Sequence, residues 1–185
     1  MRHGGEKNTN LIINKPLSIA SAMGRGLGWG KSPSMARAFC ALGRGLGRVN
    51  LPGRFQQIYK PRHIILDVAH NPQATAYLAQ KLHEDPIKGR TLAVVGMLKD
   101  KDIAGTFAPM VSEIDVWYAG DLDVPRGAKA QDLAKVLQQC YTHKTVTAAY
   151  KHALKDCSKQ DRIIVFGSFY TVGEILEQIK DGNEA

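Results

Sequence analysis

His63-Ile-Ile-Leu-Asp-Val-Ala69 is a short, nearly continuous apolar run that is rich in β-branched residues, and this run decides the fold. Such a run is typical of a strand in a parallel sheet, where helices cover both faces. A helical pattern over residues 73–84 follows it, and Asn71 and Pro72 in between are suited to cap and to begin that helix. A strand followed by a helix is the first half of a βαβ unit.

The same alternation continues along the chain. Further strands are predicted at 91–96, 114–119 and 162–167, with a weaker one at 144–147, and further helices at 103–113, 130–141, 147–159 and 171–180. Residues 51–185 are therefore predicted to form an α/β domain, a Rossmann-like three-layer sandwich with a mostly parallel sheet. Such sheets bind ligands beyond the carboxyl ends of their strands, so polar residues at those ends are the first candidates for function.

Residues 1–50 differ in character from the rest of the chain. They hold nine of the 18 glycines, and their eight Lys/Arg are opposed by Glu6 alone. Dense glycine raises the entropic cost of ordering, so we predict a poorly ordered Gly/Arg-rich segment with one short helix at most, over 33–42. The domain boundary is therefore predicted near Asn50.

Charge and cysteine usage restrict the classes of function. The net charge of +8 comes almost entirely from residues 1–50, so the predicted domain is nearly neutral and gives no support for specific nucleic-acid binding. Cys40, Cys140 and Cys157 are an odd number without metal-type spacing, which argues against a disulfide framework and a zinc site. With no apolar run long enough to span a membrane, we expect a soluble, cytoplasmic protein.

Asp67 and His70 are candidates for chemistry because they stand at the end of the first predicted strand. A carboxylate near a buried strand end is costly without a partner, which favours a cation, a donor or a ligand hydroxyl at Asp67. The structural alternative is that Asp67 accepts backbone N–H bonds and that His70 is a loop histidine with satisfied hydrogen bonds. Residue periodicity alone favours that structural alternative.

Three other turns are also candidates. Gly96-Met-Leu-Lys-Asp-Lys-Asp102 follows the second strand, but an ordinary helix start with favourable acidic residues explains it. Gly167-Ser-Phe-Tyr-Thr171 follows the last strand and could hold an anion, or Ser168 could simply cap the next helix. Leu51-Pro-Gly-Arg-Phe55 presents Arg54, whose planar guanidinium suits phosphate, although alone it is one surface arginine among many.

Taken together, five motifs resemble those of bacterial bifunctional dihydrofolate synthase/folylpolyglutamate synthase, a family of the Mur ligase superfamily. The motifs occur in family order, and an ordered set is far more specific than any one of them. They are Leu51-Pro-Gly-Arg-Phe-Gln56, Leu66-Asp-Val-Ala-His-Asn-Pro72, Gly96-Met-Leu-Lys-Asp-Lys-Asp102, Pro125-Arg-Gly-Ala128 and Val165-Phe-Gly-Ser-Phe-Tyr-Thr-Val172. The resemblance implies a Rossmann-like C-terminal ligase domain.

The resemblance also implies an activity and its residues. The family uses ATP and Mg²⁺ to convert a dihydropteroate or folate carboxylate into an acyl phosphate, which L-glutamate attacks to form an amide. Arg54 and Asp67 match positions that contact ATP, and His70 matches a catalytic histidine near the phosphate and the glutamate. Ser168 lies in a motif that the resemblance assigns to glutamate. Closure of the C-terminal domain over the nucleotide would exclude water from the acyl phosphate.

Residues 1–50 depart from the family pattern. Gly30-Lys31-Ser32 echoes the end of a P-loop, but Arg25 stands where that motif needs glycine. The P-loop and the metal site are thus expected to be missing, so no metal ligand is assigned and a separate N-terminal ligase fragment is a candidate partner. We hypothesise a truncated or frame-shifted reading frame, which upstream DNA without any trace of the ligase domain would refute.

Two alternatives to a ligase domain remain open from the sequence. One is a non-catalytic nucleotide- or ligand-binding module derived from the same domain, which would bind ATP without turnover. The other makes residues 1–50 an RNA- or membrane-tethering arm, whose binding would weaken with salt and persist without the domain.

Overall fold

A six-stranded sheet in the order β1-β2-β6-β3-β4-β5 forms the middle layer of the domain. The computed structural model describes residues 53–60 and 62–181, and the expected short helix over 33–42 lies outside them. The strands are β1 (Gln56–Ile58), β2 (His63–Leu66), β3 (Thr91–Val95), β4 (Val116–Gly120), β5 (Cys140–His143) and β6 (Arg162–Phe166). β1 is antiparallel to β2, and the other four neighbouring pairs are parallel.

Helices cover both faces of this sheet. Within the described residues they are α1 (Pro72–Glu84), α2 (Ile103–Phe107), a 3-10 turn (Ala108–Met110), α3 (Ala130–Ala134), α4 (Val146–Asp156) and α5 (Phe169–Asp181). One apolar cluster joins α1, α2, the 3-10 turn and α3 to one face, and a second joins α4 and α5 to the other. The predicted three-layer α/β sandwich is confirmed. No helix in the described part of the chain is long and apolar enough to cross a membrane.

The start of α1 is fixed by its sequence. Asn71 Oδ1 accepts a hydrogen bond from the amide of Ala74 at 2.9 Å, and Pro72 occupies the first turn, where its missing N–H costs nothing. Leu78 and Leu82 lie on the buried face of the helix. The loop from Asp67 to His70 is thereby held between the end of β2 and an anchored helix.

The fifth strand differs from the prediction. It occupies Cys140–His143 rather than 144–147, and the predicted helix over 130–141 is only the short α3. Leu133 and Leu137 are buried as a helical pattern requires, but Val136 is 44% exposed and Gln139 has a positive φ of 49°. That backbone conformation breaks a helix, and the exposed edge position of β5 explains its weak apolar signal.

Two further elements also differ. β1 was not predicted, because three residues with two glutamines give almost no strand signal, although all three are buried. The helix predicted over 103–113 ends at Phe107 and continues as the 3-10 turn. Pro109 explains that change, since proline lacks the amide hydrogen that a continued α-helix would need at this position.

His63, at the start of β2, makes the stability of the domain depend on pH. Its Nε2 is buried without a hydrogen-bond partner, and its ring stacks on Tyr59 with centroids 4.8 Å apart. Burial lowers the pKa of His63 below its ordinary 6.5, the charge of Arg162 lowers it further, and Asp85 opposes them. As the pH falls below 6.5, His63 takes up a proton more readily in the unfolded chain than in the folded domain. The domain therefore loses stability below about pH 6.5, whereas above that pH His63 is neutral in both states and has no effect.

We expect the His63→Phe variant to lose less stability than the wild type between about pH 7.5 and about pH 5.5. The difference should stay below about 1 kcal/mol, because the ring is partly exposed and solvent screens its charge. Urea unfolding at both pH values measures it. Equal pH dependence of the two proteins would show that His63 does not couple folding to protonation.

Candidate functional site

The carboxyl ends of β2, β6 and β3 lie side by side, and polar loops follow each of them. Gly167, after β6, donates its amide to the carbonyl of Ala69, after β2, at 2.9 Å. Thr171 Oγ1 donates to the carbonyl of Gly96, after β3, at 2.7 Å. Loops that are far apart in the sequence are thus joined at one edge of the sheet, where α/β proteins bind ligands.

The turn Gly53–Phe55 packs against the end of β2. Val68 donates its amide to the carbonyl of Gly53 at 2.7 Å, and Gly53 donates to Gln56 Oε1 at 3.0 Å. Gly53 and Phe55 both have positive φ angles, 72° and 46°. This conformation is strained for phenylalanine and is held by surrounding contacts. The exposed Arg54 therefore projects from a turn of fixed shape.

Asp67 fastens this turn to the strand end. One carboxylate oxygen accepts from the amide of Phe55 and the other from the amide of Ala69, both at 2.8 Å. Burial raises the pKa of Asp67, while these two hydrogen bonds and the charge of Arg54 oppose the rise. Each oxygen retains one further lone pair, so Asp67 can still accept a hydrogen bond from a ligand hydroxyl.

We expect Asp67→Asn to loosen the turn that carries Arg54. An asparagine amide group has one acceptor oxygen, so either Phe55 or Ala69 would face an NH₂ group and lose its partner. The expected cost is about 1–3 kcal/mol, and the exchange of the Phe55 or Ala69 amide with solvent should rise by about tenfold. Hydrogen exchange followed by NMR measures both amides.

Asp102→Asn is the matched control for this prediction. Asp102 also accepts from a backbone amide, that of Gly105 at 2.9 Å, but it does so at the start of α2. Its replacement should leave exchange at Phe55 and Ala69 unchanged. If the Phe55 and Ala69 amides of Asp67→Asn exchanged with solvent as slowly as in the wild type, Asp67 would not fasten the turn.

His70 has a defined orientation and tautomer. Its Nδ1 lies 2.8 Å from the carbonyl oxygen of Val68, and because a carbonyl only accepts, Nδ1 carries the hydrogen. Nε2 is then the nitrogen with a free lone pair in the neutral ring. The ring of Phe169 lies against His70 with centroids 6.0 Å apart. His70 is thus oriented with a basic nitrogen available for proton transfer.

Ser168 is buried and caps the helix that follows β6. Its Oγ accepts from the amide of Thr171 at 3.0 Å and lies 2.8 Å from Thr171 Oγ1. Gly167 before it has a φ of 113°, and a Cβ there would lie 2.6 Å from the carbonyl oxygen of Gly96. The turn therefore requires glycine, and Ser168 already has partners within the protein.

The structure brings Arg54, Asp67 and His70 together at the end of β2, with Ser168 on the adjacent strand end. Sequence reasoning did not assign Gln56, which holds Gly53, or Phe169, which lies against His70 and is 62% exposed. The sequence signal for Phe169 is an aromatic residue in a glycine-led turn directly after a strand. The partner of Gln56 depends on turn geometry that no sequence pattern specifies.

The next loops along the same edge, after β3 and β4, are also joined. Leu98 forms an isolated β-bridge with Gly127, and Arg126 pairs with Asp100 at 3.1 Å. In the described residues no group of three or more His, Cys, Asp or Glu side chains is arranged to hold a metal ion. The exposed guanidinium of Arg54 and the remaining lone pairs of Asp67 suit hydrogen bonds to phosphate or hydroxyl groups.

Comparisons with known proteins agree with this fold and show its family. Residues 53–169 match the family model described as Mur ligase, glutamate ligase domain. The dihydrofolate synthase/folylpolyglutamate synthase of Escherichia coli (strain K12) is 43% identical over 139 residues, which are 75% of this chain. The chain spans 33% of the length of that relative.

Two solved structures are also similar to this chain. E. coli FolC in complex with DHPP and ADP has a TM-score of 0.74 at 39% identity, covering 86% of this chain and 36% of that one. A bifunctional folylpolyglutamate synthase/dihydrofolate synthase from Yersinia pestis, complexed with AMPPNP and Mn ion, has a TM-score of 0.71 at 44% identity. That match covers 76% of this chain and 34% of the Y. pestis chain.

Proposed function

The chain belongs to the Mur ligase family through its glutamate ligase domain, and from that premise we propose that residues 51–185 are the C-terminal domain of an ATP-dependent ligase. The ligase adds L-glutamate to dihydropteroate and to folate (poly)glutamates in folate biosynthesis. The observation that carries this proposal is the convergence of Arg54, Asp67 and His70 at the end of β2. Cys40, Cys140 and Cys157 are an odd number without close spacing, which favours free thiols in a reducing compartment. We therefore propose that the protein acts in the cytoplasm.

Arg54 and Asp67 are proposed to bind ATP. Arg54 is exposed and can donate two parallel hydrogen bonds to phosphate oxygens, as arginine does better than lysine. Asp67 retains lone pairs for a nucleotide hydroxyl after binding the amides of Phe55 and Ala69. Arg54 and Asp67 can therefore bind the phosphates and a hydroxyl of a nucleotide, while Asp67 also fastens the Gly53–Phe55 turn.

His70 is proposed as the catalytic residue. The folate-type carboxylate attacks the terminal phosphate of ATP, releasing ADP and forming an acyl phosphate, and the amine of glutamate then displaces phosphate to form the amide. The amine must lose a proton during this attack, and the free Nε2 of neutral His70 is suited to accept it. Its hydrogen bond to Val68 holds the ring in the required tautomer.

Ser168 is proposed to act in glutamate binding through the turn that it caps. The hydroxyl is buried and engaged by Thr171, so the start of α5, rather than a free serine side chain, is presented to the substrate. Backbone N–H groups at a helix start favour a carboxylate. The exposed Phe169 and Tyr170 of that first turn border the proposed glutamate position.

The domain is proposed to be incomplete alone. It spans 33% of the length of the E. coli relative, and Arg25 stands where the P-loop motif needs glycine. We propose that the P-loop and the metal site are supplied by a separate N-terminal ligase fragment. The purified chain should then incorporate no labelled glutamate into dihydropteroate or tetrahydrofolate with ATP, whereas the full-length E. coli relative should do so. Turnover by the chain alone would contradict the proposal.

A further inference from the structure

A cavity of about 380 Å³ lies at the same edge of the sheet but away from the proposed catalytic residues. It adjoins the carboxyl ends of β4 and β5, and neither Arg54, Asp67, His70 nor Ser168 lines it. β5 is three strands from β6, or roughly 14 Å at the usual strand spacing. The lining residues are Asp121, Lys129, Ala130, Gln131, Thr142, His143 and Lys144.

The lining is rich in hydrogen-bond donors. Lys129, Lys144, Gln131 and Thr142 can all donate, and both lysines are exposed. Asp121 contributes the single carboxylate, and it is already engaged. It accepts from the amide of Ala130 at 2.8 Å and from Lys129 Nζ at 2.9 Å, and these two hydrogen bonds hold the pKa of Asp121 below its usual range.

Positive charge on the cavity wall is therefore not fully balanced. The Asp121 carboxylate pairs with Lys129, and the charge of Asp123 also acts on that lysine, but Lys144 has no ion-pair partner among residues 53–60 and 62–181. His143 stands beside Lys144, with its Nε2 3.2 Å from Nδ1 of His152 on α4. An unpaired lysine among neighbouring hydrogen-bond donors favours an anionic occupant, because its attraction for an anion is not offset by a paired carboxylate.

We propose that this cavity is a binding site for an anionic ligand that carries carboxylate or phosphate groups. Lys144 is its principal charge, and Gln131 and Thr142 provide orienting hydrogen bonds. The site is separate from the nucleotide site and does not depend on the ligase activity. Its place beyond the carboxyl ends of strands is where open α/β sheets bind ligands.

NMR titration of the full 185-residue chain tests this site directly. Sulfate and a glutamate tripeptide are the two probes, titrated at constant ionic strength with chloride as the balancing anion. Saturable shifts of the Gln131, Thr142 and Lys144 amides are expected with at least one probe. Lys144→Gln should weaken that binding by about tenfold, the usual effect of losing one hydrogen bond to a charged group.

Lys88→Gln is the matched control, because Lys88 is an exposed lysine just before β3, at the opposite edge of the sheet. It should leave the affinity within about twofold. Tighter binding of the tripeptide would identify a carboxylate chain as the ligand class, and tighter binding of sulfate would identify a phosphate-type group. Absence of saturable shifts with both probes, or equal weakening by Lys144→Gln and Lys88→Gln, would overturn the proposal.

Discussion

Replacing Arg162 with methionine is expected to destabilise the domain by about 3 kcal/mol, a large part of the total stability of a domain of this size. Arg162 is 3% exposed at the start of β6. Its guanidinium donates to Thr91 Oγ1 at 3.0 Å and to the carbonyls of Asp85 and Leu82 at 2.7 and 3.2 Å. Methionine fills a similar volume but leaves these buried acceptors without their donor.

The charge of Arg162 also lies at the C-terminal end of α1, where the helix dipole favours a cation. Burial lowers the pKa of Arg162, and nearby carboxylates, Asp85 first, oppose that change. Arg162→Lys should recover part of the loss, because one ammonium group keeps the charge but cannot span three acceptors. The free energy of urea unfolding measures each variant.

Arg126→Met is the control for this prediction. Arg126 pairs with Asp100 at 3.1 Å, but both side chains are largely exposed, so its loss should cost below about 1 kcal/mol. If Arg162→Met unfolded within about 1 kcal/mol of the wild type, the buried guanidinium would not be a main support of the sheet.

Replacing His70 with alanine is expected to reduce glutamate ligation by about 10²- to 10⁴-fold, the usual contribution of a positioned acid–base residue. The test uses a chimaera in which residues 51–185 replace the matched third of the E. coli relative. The effect should fall on kcat rather than on the KM for ATP, because His70 is assigned to proton transfer and not to nucleotide binding.

Phe169→Ala in the same chimaera is the control. It removes the ring that lies 6.0 Å from His70 but leaves the hydrogen bond between His70 and Val68 in place. Its effect on kcat should be much smaller than that of His70→Ala. Full activity of the His70→Ala chimaera would exclude His70 as the catalytic base.

The parallel core of the fold could be predicted because each buried strand is a continuous apolar run. Ile64, Ile163 and Leu92 pair across β2, β6 and β3, and all three are fully buried. The edges could not be predicted in the same way. β1 and β5 contain polar residues, and the positive φ at Gln139 that separates α3 from β5 has no local sequence signal.

For the candidate site, the sequence indicated the strand ends but not the contacts between them. The structural alternative for Asp67 is correct in that both oxygens accept backbone N–H bonds, yet one donor is Phe55, twelve positions earlier. That contact depends on the Gly53–Phe55 turn packing against β2. Similarly, Ser168 caps α5, as the capping alternative predicted. The proposed roles of these residues toward ATP and glutamate stay predictions.

The most direct test of the account is whether residues 51–185 can serve as the working C-terminal part of a ligase. The measurement is ATP-dependent incorporation of labelled glutamate into dihydropteroate by three proteins: the chain alone, the E. coli relative without its matched third, and the chimaera of the two. We predict activity for the chimaera and none for either part alone. A folded chimaera without activity, or activity of the chain alone, would contradict the account.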